Sequence, residues 1–180
     1  MININKAKQI SQEQADAIAT QLGRVERLIF LLAVETGFRI SDILRLKATV
    51  TQTITTIERK TKKFRSARIS DELYQELLKY SPLYYPEKYL FEACRPSKTH
   101  ERHYNRMTYH RKLKRVAKAL KIDFSAHSMR KLYATNVFKR TGSIFAVQEA
   151  MKHKYITTTA EYLGIDVNAL IIKATSNSPR

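Results

Sequence analysis

The sequence holds one cysteine, Cys94, in 180 residues, which excludes a disulfide framework and any zinc site built from several thiolates. Long hydrophobic runs are missing too. The longest, Leu28 to Val34, falls far short of the ~20 apolar residues that a membrane-spanning helix needs. The N-terminus, Met1-Ile-Asn-Ile-Asn-Lys6, lacks the apolar block of a signal peptide. Acid is scarce: 16 Asp and Glu stand against 33 Lys and Arg, a formal net charge of +17. Disordered basic tails pair such charge with little apolar content, whereas 43% of this chain is hydrophobic. A chain of this length buries roughly 70% of its unfolded surface. The expectation is one soluble cytoplasmic domain whose charge seeks a polyanion, nucleic acid before an anionic membrane surface.

That charge is clustered. Arg95 to Lys121 contains ten Lys or Arg and one acid, Glu101; Arg59 to Arg68 contains six basic residues and no acid. A solvated helix face mixes signs, so blocks this one-sided read as an electrostatic footprint. Within His110 to Ile122, helical spacing turns Leu113, Val116, Ala117 and Leu120 toward a core. It leaves Arg111, Lys112, Lys114, Arg115 and Lys118 on a cationic outer side suited to phosphates.

The periodicity predicts a mainly α fold with a small antiparallel β-sheet. Ser11 and Gln14 form a capping-box signature for a helix to about Leu22. Arg24 to Thr36 carries an apolar stripe ended by Gly37, and Ser41 is placed to cap a short third helix. Thr and Ile dominate Val50 to Ile57, a strand pattern, with a turn at Lys60 to Lys63 and a partner strand at Phe64 to Ile69. Helices resume at Asp71 to Tyr80, then within His103 to Leu120, and at Ser128–Lys139, Ser143–Met151, Thr157–Leu163 and Val167–Ala174, with Pro82 and Pro86 marking a loop.

The stretches with chemical content are Thr36-Gly-Phe-Arg-Ile-Ser-Asp-Ile-Leu44, Arg59-Lys60-Thr61, His127-Ser-Met-Arg130, and His153 followed nine residues later by Tyr162. In this order they resemble the tyrosine recombinase (phage integrase) family over about residues 11 to 165. The resemblance implies a tyrosine recombinase catalytic-domain fold, with a single catalytic domain over 1–180, its core at 11–165 and a tail at 166–180. Carried over, Arg39 and Arg130 match the two catalytic arginines, Lys60 the hairpin lysine, His127 and His153 the histidines, and Tyr162 the nucleophile. Asp42 matches a supporting acid. Lys62 and Lys63 compete with Lys60 for the hairpin role and double as candidate DNA contacts. Tyr155 and Tyr133 compete with Tyr162, which the nine-residue spacing favours.

The chemistry suits these residue types. Two guanidiniums offer forked N–H donors to the non-bridging oxygens of a reacting phosphodiester without losing a proton. A tyrosine with a reference pKa near ~10 needs help to ionise. His127 is the candidate base, with the arginines able to favour phenolate on their own, and Lys60 is the candidate acid for the departing 5′ oxygen. The resemblance implies site-specific cleavage and rejoining of double-stranded DNA through a 3′-phosphotyrosine, with no metal and no cofactor. It implies a homo-multimer, a tetramer, on paired sites in a prokaryotic or phage-infected cell. The rival readings are a type IB topoisomerase-like relaxing enzyme and a non-catalytic basic DNA- or RNA-binding module. Two positions depart from the family pattern: Lys152 stands where Gly commonly precedes the late histidine, and Lys131 where His often follows the middle arginine. With 38 residues before Arg39, the expectation is that no N-terminal core-binding domain is present and that affinity for DNA is modest.

Overall fold

The computed structural model describes residues 8–81, 88–92 and 103–166. Cys94, the Pro82 to Pro86 loop, the Val167–Ala174 helix and the first part of the Arg95 to Lys121 basic run lie outside them. The chain divides into two compact units, Met1–Tyr133 and Ala134–Arg180.

In the first unit, α1 (Gln12–Gln21) opens with the expected capping box, Ser11 and Gln14 each satisfying the other's backbone N–H. The unit is built around α2 (Arg24–Thr36). Leu28, Ile29, Phe30, Leu32, Ala33 and Val34 are all buried, so α2 is apolar nearly all round and serves as the central helix. It packs against α1, α3 (Ile40–Ile43), α4 (Asp71–Tyr80) and the sheet. Gly37 ends α2 at φ +62°, a left-handed conformation that costs a residue with a Cβ about 1–2 kcal/mol. The cap of α3 is Arg39, not Ser41, and it makes no side-chain cap bond. Gly37 and Phe38 already turn the chain, so the helix starts two residues earlier than the Ser signal suggests.

The sheet has two antiparallel strands, β1 (Thr53–Ile57) and β2 (Phe64–Arg68), in the register Thr53↔Arg68 to Ile57↔Phe64. β1 begins at Thr53 rather than Val50. Thr51 folds its hydroxyl onto the Thr53 carbonyl and so stays out of the ladder. Between the strands, Lys62 N–H bonds the Glu58 carbonyl and Glu58 N–H bonds the Lys63 carbonyl, with Lys62 at φ +57°. An extended piece at Lys88–Glu92, unforeseen from periodicity, bonds back to Leu46 and Ala48 and buries Leu90 and Phe91. α5 (Arg106–Leu120) is capped by Asn105 and buries Leu113 and Val116, while Ala117 and Leu120 pack partly against the core.

α6 (Ala126–Thr141) starts in the first unit, two residues before the expected Ser128; the Ser128 hydroxyl accepts from the Ser125 N–H at its entrance. In the second unit α7 (Ile144–Met151) and α8 (Ile156–Leu163) pack together over Val147, Met151 and Ala160. Among the described residues no helix is long and apolar enough to cross a membrane.

A Cβ on Gly37 would lie 2.3 Å from Cδ1 of Tyr133, in a backbone conformation that disfavours it. Gly37→Ala is expected to destabilise the protein by about 2–4 kcal/mol, by overpacking plus left-handed strain. Chemical denaturation of the variant against wild type measures it, and a loss under about 0.5 kcal/mol would contradict this account of the turn.

Candidate active site

The Gly37 turn sets the site in the first unit. It ends α2, reverses the chain and delivers Arg39 at the mouth of α3. The Gly37 carbonyl accepts a hydrogen bond from Nη1 of Arg130, a residue 93 positions later that is 6% exposed. A cavity of about 220 Å³ is lined by Arg39, Ile40, Ser41, Arg106, His110, Ser125, Ala126, His127 and Arg130. The structure therefore brings together three sequence-predicted residues, Arg39, His127 and Arg130. It adds two that sequence reasoning missed, Arg106 and His110, one helical turn apart on α5. Arg106 Nε donates to Nε2 of His110 at 3.2 Å. Their signal was an i, i+4 pair at the start of a basic helix, which in isolation matches any solvated face.

Cations crowd the cavity, and the histidines register it. Partial desolvation of the ring, then Arg130, Arg39 and Arg106, lower the pKa of His127, although the residue as a whole is exposed. Desolvation, then Arg106, His127 and Lys114, lower His110. Both rings are neutral at pH 7 and can accept a proton or a hydrogen bond.

The sequence also missed Glu58. Its carboxylate is 2% exposed and faces two guanidiniums. Arg65, itself 2% exposed, donates from Nη1 to Oε1 at 3.1 Å and from Nη2 to the Thr36 carbonyl at 3.3 Å. Nη1 of Arg39 lies 2.6 Å from Oε2, buried but without an aligned hydrogen bond. The contact is an ion pair that neutralises Arg39 at rest. Thr61 Oγ1 donates to the same Oε2 at 2.6 Å. Burial alone would raise the Glu58 carboxyl, but Arg39, Thr61 and Arg65 outweigh it and hold the pKa at about 2.

Asp42, matched to a supporting acid, meets the turn that carries Lys60. It is 2% exposed, and Oδ1 accepts the Arg59 N–H at 3.2 Å. The ion-pair partner of Arg39 is Glu58. Lys60 itself is exposed on the turn, between Arg59, tied to Asp42, and Thr61, tied to Glu58.

His153 and Tyr162 lie in the second unit, their rings edge to face with centroids 5.6 Å apart. His153 follows Lys152, the α7 C-cap at φ +53°; a left-handed residue is needed there, which is the physical reason a glycine suits that position. Nδ1 of His153 lies 3.0 Å from the buried Thr159 hydroxyl, which fixes the ring. Tyr155, the rival of Tyr162, is exposed with Lys154 over its ring, and Tyr133 covers Gly37.

On α5, Arg111, Lys114, Arg115 and Lys118 are exposed, but Lys112 pairs with the buried Glu26, which also accepts from the Tyr104 hydroxyl. Arg65 likewise leaves the basic footprint of the hairpin, since its charge is spent inside. Lys62 and Lys63 are exposed. Among the described residues no three His, Cys, Asp or Glu side chains are grouped to hold a metal ion.

Comparison with known proteins identifies the family. The model of the phage integrase family matches residues 4–168. The chain belongs to that family. The family is that of the tyrosine recombinases, so the chain is an enzyme of the DNA recombination and integration class. A probable integrase/recombinase of Bacillus subtilis, YoeC, is 30% identical over 142 residues, covering 77% of this chain and 76% of that one. A tyrosine recombinase of Thermosipho africanus is 30% identical over 135 residues, 72% of this chain and 46% of its own length. The fold is shared with the crystal structure of XerA recombinase, at TM-score 0.71 and 22% identity over 96% of this chain and 66% of that one. A lambda integrase dimer bound to a core site gives TM-score 0.67 and 21% identity, over 86% of this chain and 47% of that one. The chain thus spans only part of several relatives it matches.

Because the folded pKa values of His110 and His127 lie below that of an ordinary histidine, the unfolded chain takes up protons first as pH falls. The stability they contribute is complete above about pH 6.5 and declines as pH falls through their folded values. The melting temperature is expected to drop between pH 7 and 5, and inorganic sulfate in the cavity should reduce the drop. In the His110→Asn, His127→Asn double variant the drop should shrink; an unchanged pH dependence would refute the assignment.

Proposed function

We propose that this recombinase cleaves and rejoins double-stranded DNA at specific sites through a 3′-phosphotyrosyl intermediate at Tyr162. The observation that carries the reading is the cavity in which Arg39, His127 and Arg130 converge. A reacting phosphodiester gathers negative charge on its non-bridging oxygens, and a cavity with two guanidiniums opposes that charge with donors already in place. Arg130, fixed by the Gly37 carbonyl, cannot relax away, and Arg39 lines the same cavity beside its ion pair with Glu58. Neutral His127 takes the tyrosine proton as its oxygen attacks phosphorus. The bond from phosphorus to the 5′ oxygen breaks, and Lys60 supplies the proton that oxygen needs. If the Thr159 hydroxyl donates to Nδ1 of His153, Nε2 carries the ring proton and becomes a further phosphate donor. Attack of a 5′-hydroxyl from another strand reverses the step and conserves the phosphodiester, so no nucleotide is spent.

The exposed cations of α5, Arg111, Lys114, Arg115 and Lys118, together with Lys62 and Lys63, hold the duplex by its phosphates. Exchange between two sites calls for several protomers, and we read the working form as a tetramer on paired DNA. Bacterial relatives and DNA as substrate fit a protein of the prokaryotic cytoplasm.

Covalent capture tests this reading. The full chain is incubated with nicked duplexes of randomised sequence, and DNA that stays bound through denaturation is recovered and sequenced. A discrete site trapped by wild type and by no Tyr162→Phe protein is expected. Arg39→Ala and Arg130→Ala should each slow capture by roughly 10²-fold or more. Salt-sensitive binding without an adduct would leave a binding module, and relaxation of supercoiled DNA without strand exchange a topoisomerase-like enzyme.

A further inference from the structure

Lys60 sits on an exposed turn, where a four-carbon stem would normally sample many directions. The residues on either side of it are not exposed to the same freedom. Arg59 is tied through its N–H to Oδ1 of Asp42, on α3, at 3.2 Å. Thr61 is tied through its hydroxyl to Oε2 of Glu58, the oxygen that Arg39 also faces. Glu58 in turn holds Arg65 on β2, and Arg65 grips the Thr36 carbonyl at the end of α2 and lies over the Phe38 ring. One buried carboxylate therefore gathers the Lys60 turn, the strand behind it and the guanidinium of Arg39.

We propose that Glu58 is a positioning residue that docks the Lys60 turn against Arg39, so that ammonium and guanidinium reach one phosphate together. This rests on the proposed role of Lys60 as acid. A buried carboxylate facing two arginines could serve the fold alone, but the bond from Thr61, next to Lys60, also ties that carboxylate to the turn that carries the lysine. The same oxygen, Oε2, faces Nη1 of Arg39 at 2.6 Å, so the turn and the guanidinium share one anchor. That shared oxygen is what lets one carboxylate set the turn and the guanidinium relative to each other.

The leaving group provides a test independent of folding. With a 5′-bridging oxygen, the P–O bond breaks as Lys60 donates a proton to the departing oxygen. With a 5′-bridging sulfur, the P–S bond breaks and the thiolate departs as the anion, since thiols ionise near pH ~8.5 and need no acid. Both substrates are made on the duplex recovered by covalent capture and cleaved by the full chain. The ratio of sulfur to oxygen cleavage rates, taken on one protein sample, cancels any loss of folded enzyme.

Lys60→Ala should raise that ratio by roughly 10²-fold, the scale of general acid catalysis. Glu58→Gln should raise it about tenfold or more. Glu58→Asp, which keeps the charge but shortens its reach, should raise it several-fold and carries the test if Glu58→Gln does not fold. A ratio in both Glu58 variants within about twofold of wild type, whatever the absolute rates, overturns the proposal, because a purely structural loss slows both substrates alike. If the Lys60→Ala ratio itself does not move, the acid assignment fails and this proposal with it. A raised ratio in Lys60→Ala alone sinks only the role of Glu58.

Discussion

Two guanidiniums facing one cavity repel each other, and the first unit is arranged around holding them there. At an effective dielectric of about 20, unit charges a few ångströms apart differ from neutral neighbours by a few kcal/mol. The protein meets that cost with two acceptors of different kinds. Arg130 is held by a peptide carbonyl, that of Gly37, which attracts without cancelling its charge. Arg39 is held by a full carboxylate, Glu58, which cancels its charge at rest. The asymmetry matters: one arginine remains a fixed cation, and the other is neutralised by an internal anion.

The rest of the unit follows from those two anchors. Gly37 must adopt a left-handed turn so that its carbonyl meets Arg130 while Arg39, two residues on, enters the same cavity. Tyr133 then closes over Gly37, leaving no space for a Cβ. Glu58 must be buried to hold two arginines firmly, and its burial fixes the end of β1 and the turn after it. A carboxylate at pKa about 2 remains charged throughout the physiological range, so this anchor does not depend on pH. The histidines that line the cavity do.

Local signals made most elements legible. The Ser11 and Gln14 cap, the apolar stripe of α2, the Thr and Ile strand and the helical spacing of α5 each act within a few residues of sequence. The motif order likewise placed Arg39, His127 and Arg130 on one reading, and they converge in one cavity. What sequence did not show is nonlocal. Glu58 looked like one more polar residue before a basic turn, because nothing nearby reveals that Arg39, 19 residues earlier, will face it. Arg65 was counted as surface charge for the same reason. Asp42 stands at the expected spacing from Arg39, and its bond to the Arg59 backbone, beside Lys60, is a contact that no local pattern reveals. The Ser41 cap signal lost to a turn already completed at Gly37, and Leu90 and Phe91 are buried without any periodic pattern around them.

The charge excess takes on a different meaning once partners are assigned. The acids are few, and several lie against cations in or beside the core: Glu58 with Arg39 and Arg65, Glu26 with Lys112, Glu76 with Arg27. Acid spent inside is unavailable to balance the surface. Among the described residues, Arg111, Lys114, Arg115 and Lys118 accordingly have no ion-pair partner on the outer side of α5. Arg111 donates only to the Thr108 hydroxyl one turn away. A face of four uncompensated cations on one rigid helix concentrates potential where a formal charge of +17 spread evenly would not. Each phosphate it neutralises should contribute about one counterion to the salt dependence of binding. Replacing Lys112, already paired to Glu26, should change that slope far less than replacing Lys114 or Arg115.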